Sequence, residues 1–246
     1  MWPFDPSGGA GLLADIKTFE AHGVSGMGAV SALTFQNDCE FDGVKWIEAD
    51  EIVKQISTLK RRFEFLVVKI GLVQNLETLE TIISSCLLPA DPDSKRDCLL
   101  IWDPIIKASA GFEFHDSVDR TKLFSLLKNI FLITPNTEEV KFLSGINDPK
   151  KAAAELSKHC HVLLKGGHNE EEPGVDYLFV DNHIEKIMPI EKNVFPKHGS
   201  GCVLSAAIVA NLALENDLIT SCRKAKKYIE QFLSSHHSLL GIHHVQ

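Results

Sequence analysis

No apolar run in this 246-residue chain approaches the roughly 20 residues that a membrane-spanning helix requires. The longest candidate, 202–214, is too short and carries Ser205 and Asn211. The amino end, MWPFDPSGGAG, has neither a basic stretch nor a long apolar core, so it does not read as a secretory signal. Basic residues are outnumbered, 25 against 33 acidic ones, for a formal charge of -8. That balance argues against a nucleic-acid-binding surface. The six cysteines show no CxxC pair and no zinc-finger spacing, which leads us to expect reduced thiols and a cytoplasmic protein. Neither glycine-rich segment is followed by GKS or GKT, so neither is a Walker A motif, and neither fits a dinucleotide fingerprint. Repeats, low-complexity tracts and convincing linkers are also missing, and one domain over 1–246 is the economical reading.

What is present is ordinary globular composition, 44% hydrophobic and 24% charged. Short apolar runs alternate with longer amphipathic ones. Helices are predicted over 11–21, 50–62 (capped by Asp50), 76–87, 118–129, 137–143, 149 to about 159, 201–215 and 220–235. Strands are predicted over 26–33, 65–70, 98–102, 130–134 and 161–165, with a hairpin of 177–180 and 184–188 around Asp181, Asn182 and His183. Residues 90–97 read as a surface loop. Strands apolar on both faces, alternating with helices, predict a three-layer α/β domain with a mostly parallel central sheet. The tail from Ser234 holds His236, His237, His243 and His244, but no helical HExxH frame. A peripheral segment is the better reading than a metal site.

Two glycine-rich segments each precede a predicted helix: Pro6-Ser7-Gly8-Gly9-Ala10-Gly11 and His198-Gly199-Ser200-Gly201-Cys202. Glycines let a backbone approach closely, and free N–H groups at a helix start can hold an anion. Either loop can equally be a plain turn. Cys202 falls in the first helical turn, where the helix field favours a thiolate able to act as a base. The bland alternative is a buried, inert cysteine. Three polar stations end predicted strands: Asp103-Pro104, Thr134-Pro135-Asn136-Thr137-Glu138-Glu139, and Lys165-Gly166-Gly167-His168. Ligand sites of parallel sheets gather at such strand ends. Asp103, Asn136 and Glu139 have the oxygen chemistry for magnesium, directly or through water, and Lys165 suits phosphate. As plain structure, Asp103 and Asn136 would be turn formers, Glu139 a helix-start charge and Lys165 a solvated strand end.

The series DPSGGAGLLADIKTFEAHG, SALTFQND, VKIGL, WDPIIKASAG, TPNTEE, LLKGGH and HGSGCVLSAAI resembles, in order, the hydroxymethylpyrimidine and phosphomethylpyrimidine kinases of thiamine biosynthesis. These belong to the ribokinase-like superfamily. The resemblance implies transfer of phosphate from ATP, with Mg2+, to hydroxymethylpyrimidine and then to its monophosphate. It implies Cys202 as catalytic base, with Gly199, Ser200 and Gly201 as its anion-hole loop. Gln36 would read the aminopyrimidine edge, with Asp5, Gly9 and Leu72 at the substrate end. Asn136, Lys165, Glu139 and Asp103 would serve the nucleotide, Glu139 meeting the metal through water. A homodimer fits the same resemblance. Two departures stand out. Met1-Trp2-Pro3-Phe4 leaves a shortened first strand, and Lys197 stands where relatives often place threonine, either attracting phosphate or facing solvent. Leu72 and Val73 replace a common methionine–leucine pair. The alternatives are a pyridoxine or pyridoxal kinase, many of which carry aspartate at the place of Cys202, and a catalytically weak pyrimidine-binding protein.

Overall fold

A computed structural model describes residues 2–88, 98–107, 111–112, 114–115, 117–167, 172–181, 183–190 and 193–245. The chain opens with β1 (Trp2–Phe4), α1 (Gly11–Ala21) and a hairpin of β2 (Val30–Gln36) and β3 (Phe41–Trp46). It continues through α2 (Ala49–Lys60), β4 (Val67–Ile70), α3 (Leu76–Leu87) and β5 (Leu99–Trp102). Next come α4 (Arg120–Leu127), β6 (Leu132–Ile133), α5 (Thr137–Ser144), α6 (Pro149–Leu156) and β7 (His161–Leu164). It closes with β8 (Asp176–Val180), β9 (His183–Ile187), α7 (Ser200–Ala213) and α8 (Leu218–Ser234).

Six strands form one sheet in the order β4-β5-β6-β7-β8-β9. β4 to β7 run parallel, and β8 and β9 return antiparallel, as the hairpin pattern predicted. Successive strand residues face opposite sides of a sheet, and here that alternation splits the core in two. Ile101, Leu132 and Leu163 pack with α1, α7 and α8, whereas Leu100, Ile133 and Val162 pack with α2 to α6. This is the expected three-layer arrangement. α7 is buried on nearly every side, which explains why its sequence is apolar all round rather than amphipathic.

The amino-terminal part departs from expectation. The strand predicted over 26–33 runs instead from Val30 to Gln36, because the glycines before it serve packing. A Cβ on Gly26 would stand 2.6 Å from the Phe19 ring, and one on Gly28 2.1 Å from Leu12 Cδ1. β3 was not predicted: Asp42, Gly43 and Lys45 dilute its apolar signal, which suits an edge strand. Asp50 does not cap α2. It lies in the first turn and pairs with Lys54 at 2.8 Å, while Glu48 takes the cap position. β1, β2 and β3 form a separate small sheet, β1 pairing with β2 in parallel over three residues. Among the described residues no strand pairs with the outer edge of β4. A cavity of about 670 Å³ lies beside it, lined by Val24, Gly28, Ile56, Val67 and Val209.

The histidine-bearing tail lies along α8, with His236, His237 and His244 exposed and His243 set against the helix. His243 Nδ1 lies 2.9 Å from Tyr228 Oη, and its ring centroid is 4.8 Å from that of Phe232. The His198 N–H donates to Leu239 O at 2.9 Å. Lys197 neither meets solvent nor sits free for phosphate: it is buried and donates to the His236 carbonyl. Among the described residues no group of three or more ligand-type side chains could hold a metal, and no helix is long and apolar enough to cross a membrane. All six cysteines are free. The loop at 90–97, His168 and Asn182 lie outside the described residues.

Candidate active site

The two glycine loops, 190 residues apart, form one unit. Asp5, fully buried at the exit of β1, organises the first. Its Oδ1 accepts from the Ser7 N–H at 2.9 Å. Its Oδ2 accepts from the Ala10 N–H at 2.9 Å and lies 2.8 Å from His198 Nε2 in the second loop. Burial alone would raise the Asp5 carboxyl, but the hydrogen bonds from His198 and Ser7 outweigh it and hold it below its ordinary value. Gly199 has φ 73°, and a Cβ there would stand 2.1 Å from the Gly9 carbonyl oxygen. Gly199 is also the N-cap of α7, so this left-handed residue starts the helix against the other loop. The first N–H groups of α7, at Ser200, Gly201 and Cys202, have no partner within the helix, the arrangement in which a helix start can receive an anion.

The polar stations at the strand exits meet beside that helix start. Asp103 Oδ1 accepts from Thr134 Oγ1 at 3.0 Å and from Lys165 Nζ at 2.9 Å, and its Oδ2 accepts from Ser205 Oγ of α7 at 2.9 Å. Lys165 Nζ also lies 3.7 Å from Glu139 Oε2. A Cβ on Gly201 would come within 3.3 Å of that same Nζ, so the ammonium sits close against the glycine loop at the start of α7. Burial works to lower the Lys165 pKa, but Asp103 and Glu139 overcome it and drive it up. Lys165 therefore stays charged. Burial pushes Glu139 up to about 7, against the pull of Lys165.

TPNTEE does structural work as well. Asn136 Oδ1 accepts from the Glu138 and Glu139 N–H groups at 2.9 Å each, and Glu139 Oε2 accepts from the Asn136 N–H at 2.6 Å. This reciprocal capping box starts α5 at the sheet's edge of the site.

Cys202 departs from the simple helix-start expectation. Burial pushes its thiol up to about 12. Lys69 and the Gly11 amide favour the thiolate, while Asp103 and Asp15 oppose it. The cysteine of the ligand-free protein is therefore a protonated thiol. Beneath it, Lys69 Nζ donates to the Cys202 carbonyl at 2.6 Å and to Asp15 Oδ1 at 2.8 Å.

On the hairpin side, Gln36 Nε2 donates to Thr34 Oγ1 at 2.8 Å, and Thr34 Oγ1 donates to the carbonyl of Phe4, the residue before Asp5, at 2.9 Å. Leu72 is 2% exposed, and its carbonyl accepts from Ser31 Oγ at 2.7 Å, tying the exit of β4 to β2. The 670 Å³ cavity lies at the amino end of β4, the wrong end for these groups, and is not this site.

No role was expected from the sequence for Asp15, Lys69, His198 or Ser205. Lys69 carried a signal, a lysine inside the apolar strand Val67–Ile70. Ser205 sits three residues after Cys202 on the same helix, and only the fold shows that this turn faces Asp103.

A three-layer α/β domain with a lysine–carboxylate cluster at its parallel strand exits, beside a glycine-started helix, defines a small-molecule kinase of the ribokinase-like class. The comparisons narrow that class. The chain belongs to the phosphomethylpyrimidine kinase family, whose model matches residues 5–245. It is 30% identical to the hydroxymethylpyrimidine/phosphomethylpyrimidine kinase of Aquifex aeolicus, over 94% of this chain and 92% of that one. With the Bacillus subtilis enzyme of the same description it is 30% identical over 92% and 85%. Among solved structures, a phosphomethylpyrimidine kinase from Clostridium difficile superposes with a TM-score of 0.74 at 29% identity, over 92% of this chain and 94% of that one. The pyridoxal kinase of Staphylococcus aureus in complex with ADP superposes at 0.80 over 95% and 86%, but at 23% identity, which speaks for the fold alone.

Proposed function

We propose that residues 1–246 act as one kinase domain that transfers the γ-phosphoryl group of ATP to the hydroxymethyl group of a hydroxymethylpyrimidine, and then to the resulting monophosphate. The observation that carries this reading is the placement of Lys165 over Gly201, between two buried carboxylates and the amides of Ser200, Gly201 and Cys202. A transferring phosphoryl group held there meets N–H donors from below and an ammonium from above. Phosphoryl transfer depends chiefly on such positioning and charge. Cys202 orients the substrate hydroxyl; its thiol must first lose its own proton to solvent, and the resulting thiolate then accepts the hydroxyl proton. Gln36 presents an amide that both donates and accepts, suiting a ring nitrogen beside an amino group. Asp5 and Gly9 shape the loop at the substrate end, and Leu72 backs its wall.

Mg2+ fits as a partner of the nucleotide. Lys165 already stands between Asp103 and Glu139, so an ion bound directly to both carboxylates would displace it. The donor set suits Mg2+ held by phosphate oxygens and waters, with Glu139 reached through water and Asn136 beside it. When bound, the ion offsets phosphate charge. The apolar outer face of the hairpin, where Leu33 is 37% and Phe35 56% exposed, suits a second copy of the chain. We place the protein in the cytoplasm, with reduced thiols.

The test is a substrate panel of hydroxymethylpyrimidine, its monophosphate and pyridoxal, each with ATP and with Mg2+ present or chelated. Higher catalytic efficiency with the pyrimidines and loss of turnover on chelation are expected. Equal or greater efficiency with pyridoxal overturns the substrate assignment. ATP binding with no turnover of any of the three overturns the enzyme reading.

A further inference from the structure

A chain of buried polar groups runs beneath the site, and its far end takes no part in the function proposed above. Asp15 on α1 and Lys69 on β4 form an ion pair at 2.8 Å, with side chains 0% and 1% exposed. Lys69 Nζ reaches on to the Cys202 carbonyl at 2.6 Å. Ser205 Oγ lies 3.1 Å from that same carbonyl and donates to Asp103, which leads to Lys165. Among the described residues Asp15 Oδ2 is buried with no hydrogen-bond partner. Removing one partner of a buried ion pair is costly, whereas an apolar pair of similar size is often no less stable. An ion pair with an unsatisfied carboxylate oxygen is thus a poor device for stability alone. Its place, directly under the residue whose charge state matters, points elsewhere.

We propose that Lys69 and Asp15 are positioning residues that set the charge state of Cys202. Lys69 holds the first turn of α7 through the Cys202 carbonyl and brings a positive charge beneath the thiol, favouring the thiolate. Asp15 offsets that charge and keeps the thiolate from forming before substrate binds. The other charged groups near the thiol are Asp103 at the exit of β5 and Lys165 at the exit of β7. On α8, Lys226 and Glu230 are engaged with each other, Lys226 pairing also with Asp176. The two members of the pair thus act on Cys202 with opposite sign, and burial pushes Asp15 itself up to about 7.

This inference rests on the assignment of Cys202 as proton acceptor, and its test is separable from turnover. Iodoacetamide modification of Cys202 is followed at pH 8.5 in the intact ligand-free protein, by peptide mapping that resolves it from the other five cysteines. The rate tracks the thiolate fraction. Asp15→Asn is expected to speed it about tenfold or more, and Lys69→Met to slow it by a similar factor, one pKa unit each way. Lys69→Arg should stay near wild type. A purely structural role loosens the site in both variants and speeds both reactions, so rates moving in the same direction overturn the proposal. Should Lys69→Met fail to fold, Asp15→Asn decides alone: an unchanged or slower rate overturns it. In single-turnover phosphorylation, Lys69→Met should lower the rate without changing the KM for ATP. A wild-type modification pattern with no kinase activity would count against the kinase reading instead.

Discussion

At the strand exits Asp103 and Glu139 are 1% and 5% exposed, and each has its carboxylate bonded to protein groups before any ligand arrives. On the β2–β3 hairpin Phe35 is 56% exposed, β3 is an edge among the described residues, and the Gln36 side-chain amide donates to a near neighbour, Thr34. The contrast follows the tasks we assign. Groups that stabilise developing charge work best when their orientation is settled beforehand in a site of low dielectric, because nothing then has to reorganise as the reaction proceeds. A segment that must admit a flat substrate, and present a face to a second copy, gains from a looser build. Thr34 ties the hairpin to the first glycine loop by bonding the carbonyl before Asp5, beside the short β1–β2 pairing.

The comparison breaks most sharply at Cys202. Cys202→Ala should lower single-turnover phosphorylation by about 10²–10⁴-fold while ATP affinity changes little, because the proposed phosphate contacts are backbone amides and Lys165. Cys202→Ser supplies a weaker base and should fall in the same range, whereas Cys202→Asp should retain more activity than alanine. Near-wild-type chemistry in the alanine variant would remove Cys202 from the reaction.

Gly199→Ala tests whether the two loops are one rigid unit. A left-handed alanine costs about 1–2 kcal/mol before any clash, and its Cβ would stand 2.1 Å from Gly9 O. We expect a drop in Tm of several degrees and a larger loss of ATP affinity than any hairpin substitution produces. An unchanged Tm with normal affinity would show that the loops are independent.

The smallest effect is one of pH. Glu139 has its folded pKa raised, mainly by burial, from 4.5 to about 7. The native state then binds more protons than the unfolded chain between those values, so this group makes stability fall as pH rises through the window. Glu139→Gln keeps the capping acceptor but cannot titrate. The ligand-free variant should show a shallower decline in Tm between pH 5 and pH 7.5 than wild type, by a few degrees. Parallel Tm curves would mean that Glu139 stays ionised throughout, with Lys165 prevailing over burial.

Much of the scaffold was legible from local pattern. α1 and α3 begin and end where the apolar spacing put them, since that spacing is a signal carried by a few neighbouring residues. The strand exits at Asp103, Thr134 and Lys165 were also marked, each by a polar or proline stop after an apolar run. β3 was not, because an edge strand with one solvated face needs no continuous apolar run. Lys197 was read as a surface or phosphate group because nothing in its neighbourhood announces that the carbonyl of His236, 39 residues on, will meet it.

The amino-acid order alone settled the helices and the strands of the larger sheet, which strand ends carry polar groups and which helix starts with glycine and cysteine, because these depend on side-chain period and stops within a few residues. The charge on Cys202 was decided by tertiary structure. A helix start seen by itself favours a thiolate, but α7 is packed between the sheet and α8, and the removal of water outweighs the helix field. Lys69, from β4, and Asp15, from α1, then act on that thiol from positions 133 and 187 residues earlier in the chain. Electrostatics follows distance in space and access to water, and neither is written in the spacing of residues along the chain.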